Sequence, residues 1–300
     1  MSSIAYVTDQ EMIEYHRLCG NRNMNFWRLS SRSAFKDFHK GDLLFFFARG
    51  LRGKKKGLVG YAHFDSTRRM SLNQMWKRYG TLNGYDSKHN LEAAILDAAR
   101  DGQIPPEMNC LYLTDAVFFV DPVYPNEVGL KINEKLESYT YLDRDDPRIT
   151  VRILRKAEEK GIDVWASAQS FEPEYIFKLD ETRHMLCVMA NDLGEDELNS
   201  SESRSAHACI RKIVEEEGFE YIKGTTLSAF KADETGINIA LPFVYNSRDR
   251  AARLKDLLGR ITYCRLKAKE YGLPEVRFTV LCDADDSEVT SMVKELNEHA

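Results

Sequence analysis

Residues 8–19 carry apolar positions at helical spacing, and Thr8 is followed three residues later by Glu11, the pattern of a capping box, so a helix is expected there. The period then changes. Residues 25–30, 42–48 and 58–64 are short runs of strand length, and the last two flank a basic loop punctuated by glycine, which predicts a hairpin. Ser71 stands where it caps a helix running to Arg78, ended by Tyr79-Gly80, and a second helix is expected over 90–100. A long apolar strand over 110–120 and a weaker one over 130–142 complete the first half. Strands outnumber helices and the turns are short. The expected class for this half is α+β, a small β-barrel with flanking helices at its rim.

Asp143-Arg144-Asp145-Asp146-Pro147 is a charged break, and the domain boundary is placed there, giving domains 1–145 and 146–300. Beyond it a helix is expected over 151–160, and short strands over 162–166, 175–179 and 185–189. Residues 192–204 are acidic and serine-rich and read as a mobile loop. A helix over 205–218, paired strands over 219–230 and 236–245, a long helix over 249–270, a buried strand over 275–282 and a closing helix over 286–298 follow. That succession is an α/β arrangement. No internal repeat is present.

Composition narrows the picture. The 300 residues are 43% hydrophobic and 30% charged, enough for two cores and an ordinary polar surface. No apolar run is long enough to span a bilayer, and the start, Met1-Ser2-Ser3-Ile4, has no basic stretch followed by an apolar one, so the expected location is the cytoplasm. The six cysteines stand singly with no C-x-x-C pair, and the seven histidines form no H-x-x-x-H, so neither a zinc site nor a disulfide framework is expected. Net charge is −5, and it is unevenly shared. Residues 1–145 hold 20 basic and 18 acidic side chains, and 146–300 hold 22 and 29. Within the first half, Arg49 to Gly57 concentrates Arg49, Arg52, Lys54, Lys55 and Lys56. Clustered cations let an acidic protein bind nucleic acid.

Asn25-Phe26-Trp27-Arg28-Leu29-Ser30 places Asn25 and Trp27 on one strand face and Arg28 and Ser30 on the other. A Trp beside an Arg offers a stacking plane and a hydrogen-bonding fork, the two things base recognition needs. Leu72, Trp76 and Tyr79 share a helical face, and Tyr61 and Phe64 lie on a neighbouring strand. These aromatics fit a slot for one planar group, and the same spacing fits a packed core. The basic loop likewise fits a phosphate contact or a solvated hairpin tip.

The series Asn25-Phe26-Trp27-Arg28, Gly41-Asp42, Phe45-Phe46-Phe47, Leu58-Val59-Gly60, Ser71-Leu72, Trp76, Tyr79-Gly80, Asn83-Gly84, Leu113, Phe118-Phe119 and Tyr139 resembles the PUA-like domain. It is close to the EVE and ASCH groups, as found at the N-terminus of some bacterial HNH restriction endonucleases. The similarity covers about residues 23–142. It implies a five- or six-stranded barrel holding a base, often a modified one, between aromatic walls. Carried over, Trp27 and Trp76 are the implied walls, and Asn25, Arg28 and Ser30 read the base edge. Arg52, Lys54, Lys55 and Lys56 are the implied phosphate contacts.

No HNH motif follows. The order from residue 205 onward instead resembles a PD-(D/E)xK nuclease core, with Leu254-Lys255-Asp256-Leu257-Leu258-Gly259-Arg260-Ile261-Thr262-Tyr263 resembling the L-x-x-L-x-G-Q-x-x-x-Y helix of that fold, with Arg260 at the Gln and Tyr263 one position early. Such a nuclease needs carboxylates and a lysine on adjacent strands to hold a divalent cation such as Mg. Residues 236–245 supply none. A displaced site would use Asp233, Glu234 and a helix glutamate, Glu216 or its neighbour Glu215. The C-terminal half is therefore expected to be a degenerate restriction-endonuclease-like α/β domain, kept for structure, homodimerisation or partner binding, with no cofactor.

The leading expectation is a reader of a modified or unpaired base in DNA or RNA, in bacterial defence or nucleic-acid handling, without a membrane. An active modification-dependent endonuclease and a protein-interaction scaffold are the alternatives. The first predicts an aromatic pocket near Trp27 and Trp76, the second carboxylates converging on a cation, and the third two buried tryptophans. No G-x-x-x-x-G-K-[ST] or G-x-S-x-G is present, which removes nucleotide hydrolases and serine hydrolases of that type.

Overall fold

A computed structural model describes residues 2–29, 35–49, 55–99, 101–133, 135–164, 173–194, 198–225, 228–233, 236–245, 249–282 and 286–298. The chain divides into two compact units, Ser2–Glu181 and Thr182–Ala300. Both mix helices and strands.

The first unit runs β1 (Ser3–Val7), α1 (Gln10–Leu18), β2 (Met24–Arg28), β3 (Leu43–Arg49), β4 (Lys56–Met70), α2 (Leu72–Tyr79), a 3-10 turn (Gly80–Asn83) and α3 (Lys88–Ala98). It continues through β5 (Met108–Val123), β6 (Tyr139–Tyr141) and α4 (Ile149–Lys160) into the start of α5 (Pro173–Leu193). The strand order is β2-β5-β4-β3-β1-β6, with β1 parallel to β3 and every other neighbouring pair antiparallel.

Among the described residues the sheet of the expected barrel is not closed by strand pairing. β2 and β6 end its order, and among the described residues no backbone pairing joins them. Side chains do the joining. Met24 and Phe26 from one edge and Tyr139 and Tyr141 from the other enter the same apolar cluster, with Ile4, Leu44, Phe46 and Phe118 between them. The opposite face is covered by helices. Phe45, Leu43 and Tyr61 pack against Ile149, Ile153 and Leu154 of α4 and Phe177 of α5. Met108 and Cys110 pack against Leu72 and Met75 of α2 and Leu91 and Ile95 of α3. Because α4 belongs to that core, residues 146–181 group with the first unit, and the charged break at 143–147 is a turn inside it.

Several local expectations shift. Asp9, not Thr8, caps α1 by accepting from the Met12 amide at 2.8 Å, while the Thr8 hydroxyl donates to the Tyr6 carbonyl at 2.8 Å. β1 is an added strand, and the strand expected over 130–142 shrinks to three residues. Ser71 and Gln74 form the capping box of α2. Gly84 follows the 3-10 turn at φ 89°, where a Cβ would lie 2.4 Å from Met12 Cγ, so only glycine lets α1 approach so closely.

The strands expected at 175–179 and 185–189 are one helix, α5. Met185 to Met189 are all buried, and a helix covered on every side loses the polar stripe that marks its period. Of the strand expected at 162–166, Ile162 forms a single bridge to Phe119, and the positions from 165 lie outside the described residues.

The second unit contains the rest of α5, then α6 (Ser200–Glu217), β7 (Glu220–Tyr221), β8 (Ala229–Asp233), β9 (Gly236–Phe243), α7 (Arg250–Glu270), β10 (Val276–Cys282) and α8 (Ser287–Glu298). Its sheet order is β10-β9-β8-β7: an antiparallel meander of three strands, with β10 parallel to β9. Part of the expected loop at 192–204 is the first turn of α6, where Asn199 and Glu202 form a capping box. Glu202 is buried and pairs with Arg253 at 3.2 Å. The polar residues there mark a helix start.

Candidate functional site

β2 sends its side chains to two different places. Asn25 and Trp27 face the helix-covered side. Met24, Phe26 and Arg28 face the curled side.

On the helix-covered side Asn83 gathers the polar groups. Its amide donates to the Met75 and Gly80 carbonyls at 3.2 and 2.7 Å, and its Oδ1 accepts from Asn25 Nδ2 at 2.8 Å. Its backbone carbonyl accepts from Trp27 Nε1 at 3.2 Å. Asn25 and Asn83 are fully buried. Trp27, Trp76 and Tyr79 pack as partly buried hydrophobics on the α2–α3 cluster, and Tyr79 stacks on Tyr112 at 5.5 Å. The structure thus brings Asn25, Trp27, Trp76 and Tyr79 together. Asn25 Nδ2 and Trp27 Nε1, however, are engaged by Asn83, while Asn25 Oδ1 is buried with no hydrogen-bond partner among the described residues.

Tyr61, expected beside the pocket, is a core residue with 0% exposure. Its hydroxyl donates to Asp180 Oδ2 at 2.8 Å. His63, two residues along the same strand face, places Nε2 2.9 Å from Asp180 and Nδ1 3.4 Å from Asp115, which Arg22 approaches at 2.6 Å. Burial by itself would lower the His63 pKa, but the hydrogen bonds and charges of Asp115 and Asp180 outweigh it and raise it to about 9. The His63 contact in turn holds Asp115 down, against burial and with help from Arg22, at about 2. Both ring nitrogens are engaged by carboxylates, so this cluster is a buried ionic clamp. An isolated His in a strand pattern carried no signal of it.

The curled side differs. Arg28, only 6% exposed, lies with its guanidinium carbon 4.7 Å from the Phe35 ring centroid and 5.7 Å from that of Tyr6. Register places Tyr139 directly opposite Tyr6, and the two rings stack at 5.9 Å. Phe35 meets Tyr139 edge-on at 4.8 Å, and Arg144 caps Tyr141 at 4.1 Å. Tyr6, Phe35, Tyr139 and Tyr141 are all partly exposed. Next to Arg28, the paired residues Asn109 of β5 and Arg69 of β4 continue one row on the same face. The arrangement offers ring faces for stacking and guanidinium groups for carbonyl or phosphate oxygens. Of its residues only Arg28 was legible as a candidate. The others are spread over residues 6–144, and the pairing of β1 with β6 is what assembles them.

Ser30, Arg52 and Lys54 lie outside the described residues. Lys55 and Lys56 stand at the opposite end of β4 from Arg69, with Lys56 paired to Arg49. In the second unit Asp233 ends β8, its charge felt by Arg277, and Glu216 is exposed in the last turn of α6. Glu234 lies outside the described residues. Among the described residues no group of three or more His, Cys, Asp and Glu side chains is placed to hold a metal ion, and no helix is long and apolar enough to cross a membrane.

No family model and no curated protein matches the chain. Among solved structures, ASCH from Zymomonas mobilis is similar at 13% identity, covering 50% of this chain and 93% of that one with a TM-score of 0.35. Two point variants of that protein align at 14% and 13% identity, over 50% of this chain and 97% and 94% of theirs, with TM-scores of 0.36 and 0.35.

Proposed function

We propose that the first unit binds nucleic acid and receives one unpaired or modified base on its curled face, among Tyr6, Phe35, Tyr139 and Tyr141. The observation that carries this reading is the pairing of partly exposed rings with two arginines, Arg28 and Arg144, at 4.1–5.7 Å. Ring faces stack on any base, and guanidinium groups hold its carbonyl edge or the flanking phosphate. The PUA-like resemblance of residues 23–142 supports the same ligand class but pointed to the other face of β2. Bacterial defence or nucleic-acid handling is the setting that resemblance suggests.

For the second unit the proposal is a nuclease-like α/β fold without chemistry of its own. Its helix, three-strand meander, crossover helix and parallel fourth strand are consistent with that expectation. The β9 sequence Gly-Ile-Asn-Ile-Ala-Leu-Pro-Phe offers no carboxylate for a cation.

The test is fluorescence anisotropy of the full chain with labelled single-stranded and duplex DNA and RNA, plain and base-modified, at two salt concentrations. The proposal expects single strands to bind more tightly than duplex of the same sequence, and Tyr139→Ala to weaken that binding. Equal binding of duplex and single strand, unaffected by Tyr139→Ala, overturns it.

A further inference from the structure

Many cations of the first unit are consumed by the fold: Arg22 meets Asp115, Lys40 meets Asp65 and Lys160 meets Glu127. The open end of the β3–β4 pair breaks that pattern. Register sets Arg49 directly opposite Lys56, and the exposed Lys55 precedes Lys56 in the chain. Among the described residues none of these three meets a carboxylate. Side chains directly opposed across two strands share one face with Cβ atoms about 5 Å apart, so two cations there repel and weaken the pairing.

Packing holds that repulsion in place. Gly57, next to Lys56, pairs with Ala48 and lies against the end of β5. A Cβ on Gly57 would fall 2.9 Å from Pro122 Cβ and 3.2 Å from Tyr124 Cδ1, so the missing side chain lets the strand press onto both. Lys160 rests on the Tyr124 ring, its Nζ 5.0 Å from the centroid and 2.7 Å from the Pro122 carbonyl and from Glu127. The main chain that carries Lys56 is therefore fixed, and its charge stays beside that of Arg49. Tyr6 stands opposite Phe46, three residues before Arg49, which puts the cations about 10 Å along the strand from the level of the ring site.

We infer that Arg49, Lys55 and Lys56 anchor the phosphodiester backbone of a nucleic-acid single strand, beyond the nucleotide held by the rings. The inference rests on the proposed nucleic-acid binding of the first unit and adds where the backbone runs. Phosphates supply the countercharge that the fold omits, and each contact releases condensed counterions. The anchor reads no base: it sets position and affinity, and the rings receive the base.

The test is anisotropy of the full chain with a labelled single-stranded dodecamer over a salt series, together with thermal unfolding of the free protein. Lys56→Gln is expected to lower the slope of log affinity against log salt by about 0.7, one phosphate contact on a single strand, whatever the base composition. Lys56→Glu is the sharper variant, because it places a carboxylate opposite Arg49. Its unfolding midpoint is expected to rise by about 2 °C while its affinity for the dodecamer falls about tenfold, opposite signs that a merely structural lysine does not give. Loss of stability and affinity together in Lys56→Glu overturns the anchor, and so does a salt slope unchanged in both variants. Tyr139→Ala keeps the two readings apart. If it changes nothing while Lys56→Gln still flattens the slope, the ring site fails and the anchor stands.

Discussion

The two faces of the first unit's sheet solve opposite problems with similar residues. On the helix-covered face, Asn25 Nδ2, Trp27 Nε1, Tyr61 and His63 bond to Asn83, Asp180 and Asp115. Asn25, Tyr61 and His63 are buried, while the Trp27 ring is partly exposed. On the curled face, where Met12 and Ile13 of α1 join the same cluster, Tyr6, Tyr139 and Tyr141 stay partly exposed, and Arg28 and Arg144 rest against rings. An aromatic next to a polar group is thus an anchor where its hydrogen bonds are consumed within the fold, and a candidate contact where ring faces stay partly exposed. Asn25-Phe26-Trp27-Arg28 contains both kinds within four residues.

This contrast can be broken at either face. The largest effect belongs to the buried clamp. His63→Ala strands Asp180, which has 0% exposure, and is expected to cost about 3–5 kcal/mol in denaturant unfolding. The wild type adds a pH signature. Because the folded His63 pKa of about 9 exceeds the ordinary histidine value of 6.5, its stabilisation is complete below the lower value and fades as pH rises through the higher one. Unfolding curves from about pH 6 to about pH 10 should show this decline in the wild type, and its absence from His63→Ala is the control. A decline that persists in the variant assigns it to another group.

Asn83→Ala comes next. It removes the partner of Asn25 and the donors to two carbonyls, for about 2–3 kcal/mol, without changing single-strand affinity in conditions where the variant is folded. Tyr139→Ala should do the reverse: oligonucleotide affinity falls about 10- to 100-fold, matching the roughly 1–3 kcal/mol of one stacked base. A variant that loses stability in step with affinity would make Tyr139 an anchor too. Arg144→Ala should weaken binding more mildly and flatten the salt dependence by about 0.7 in the log–log slope, one phosphate contact on a single strand. The smallest change is Trp27→Phe, about 1 kcal/mol of stability through the lost bond to the Asn83 carbonyl. If it also lowers affinity, Trp27 is a base wall and the division between the faces fails.

How much of this was legible follows from where the information resides. α2 and its Ser71 cap, the β3–β4 pair, and the α6-to-α8 succession with β9 and β10 could be read because caps, turns and periods are local, whereas the strand expected over 219–230 is two, β7 and β8. α5 could not. Its residues around Met185–Met189 are buried on all sides, so the apolar run has no period to betray a helix. β1 was missed for a related reason: a five-residue strand ahead of a helix acquires its meaning only by lying parallel to β3. For the site, Arg28 was visible beside Trp27, but its actual neighbours are Tyr6 and Phe35.

By itself the sequence determined the mixed class, the order of most elements, the absence of a long apolar span among them, and the alternation that sends Trp27 and Arg28 to opposite faces of β2. Only the tertiary structure decided which face is sealed and which stays partly exposed. Alternation specifies that two faces exist. Which helix covers which face depends on contacts between residues far apart in the chain, such as Tyr61 with Asp180 and Tyr6 with Tyr139, and no local pattern encodes such a pairing.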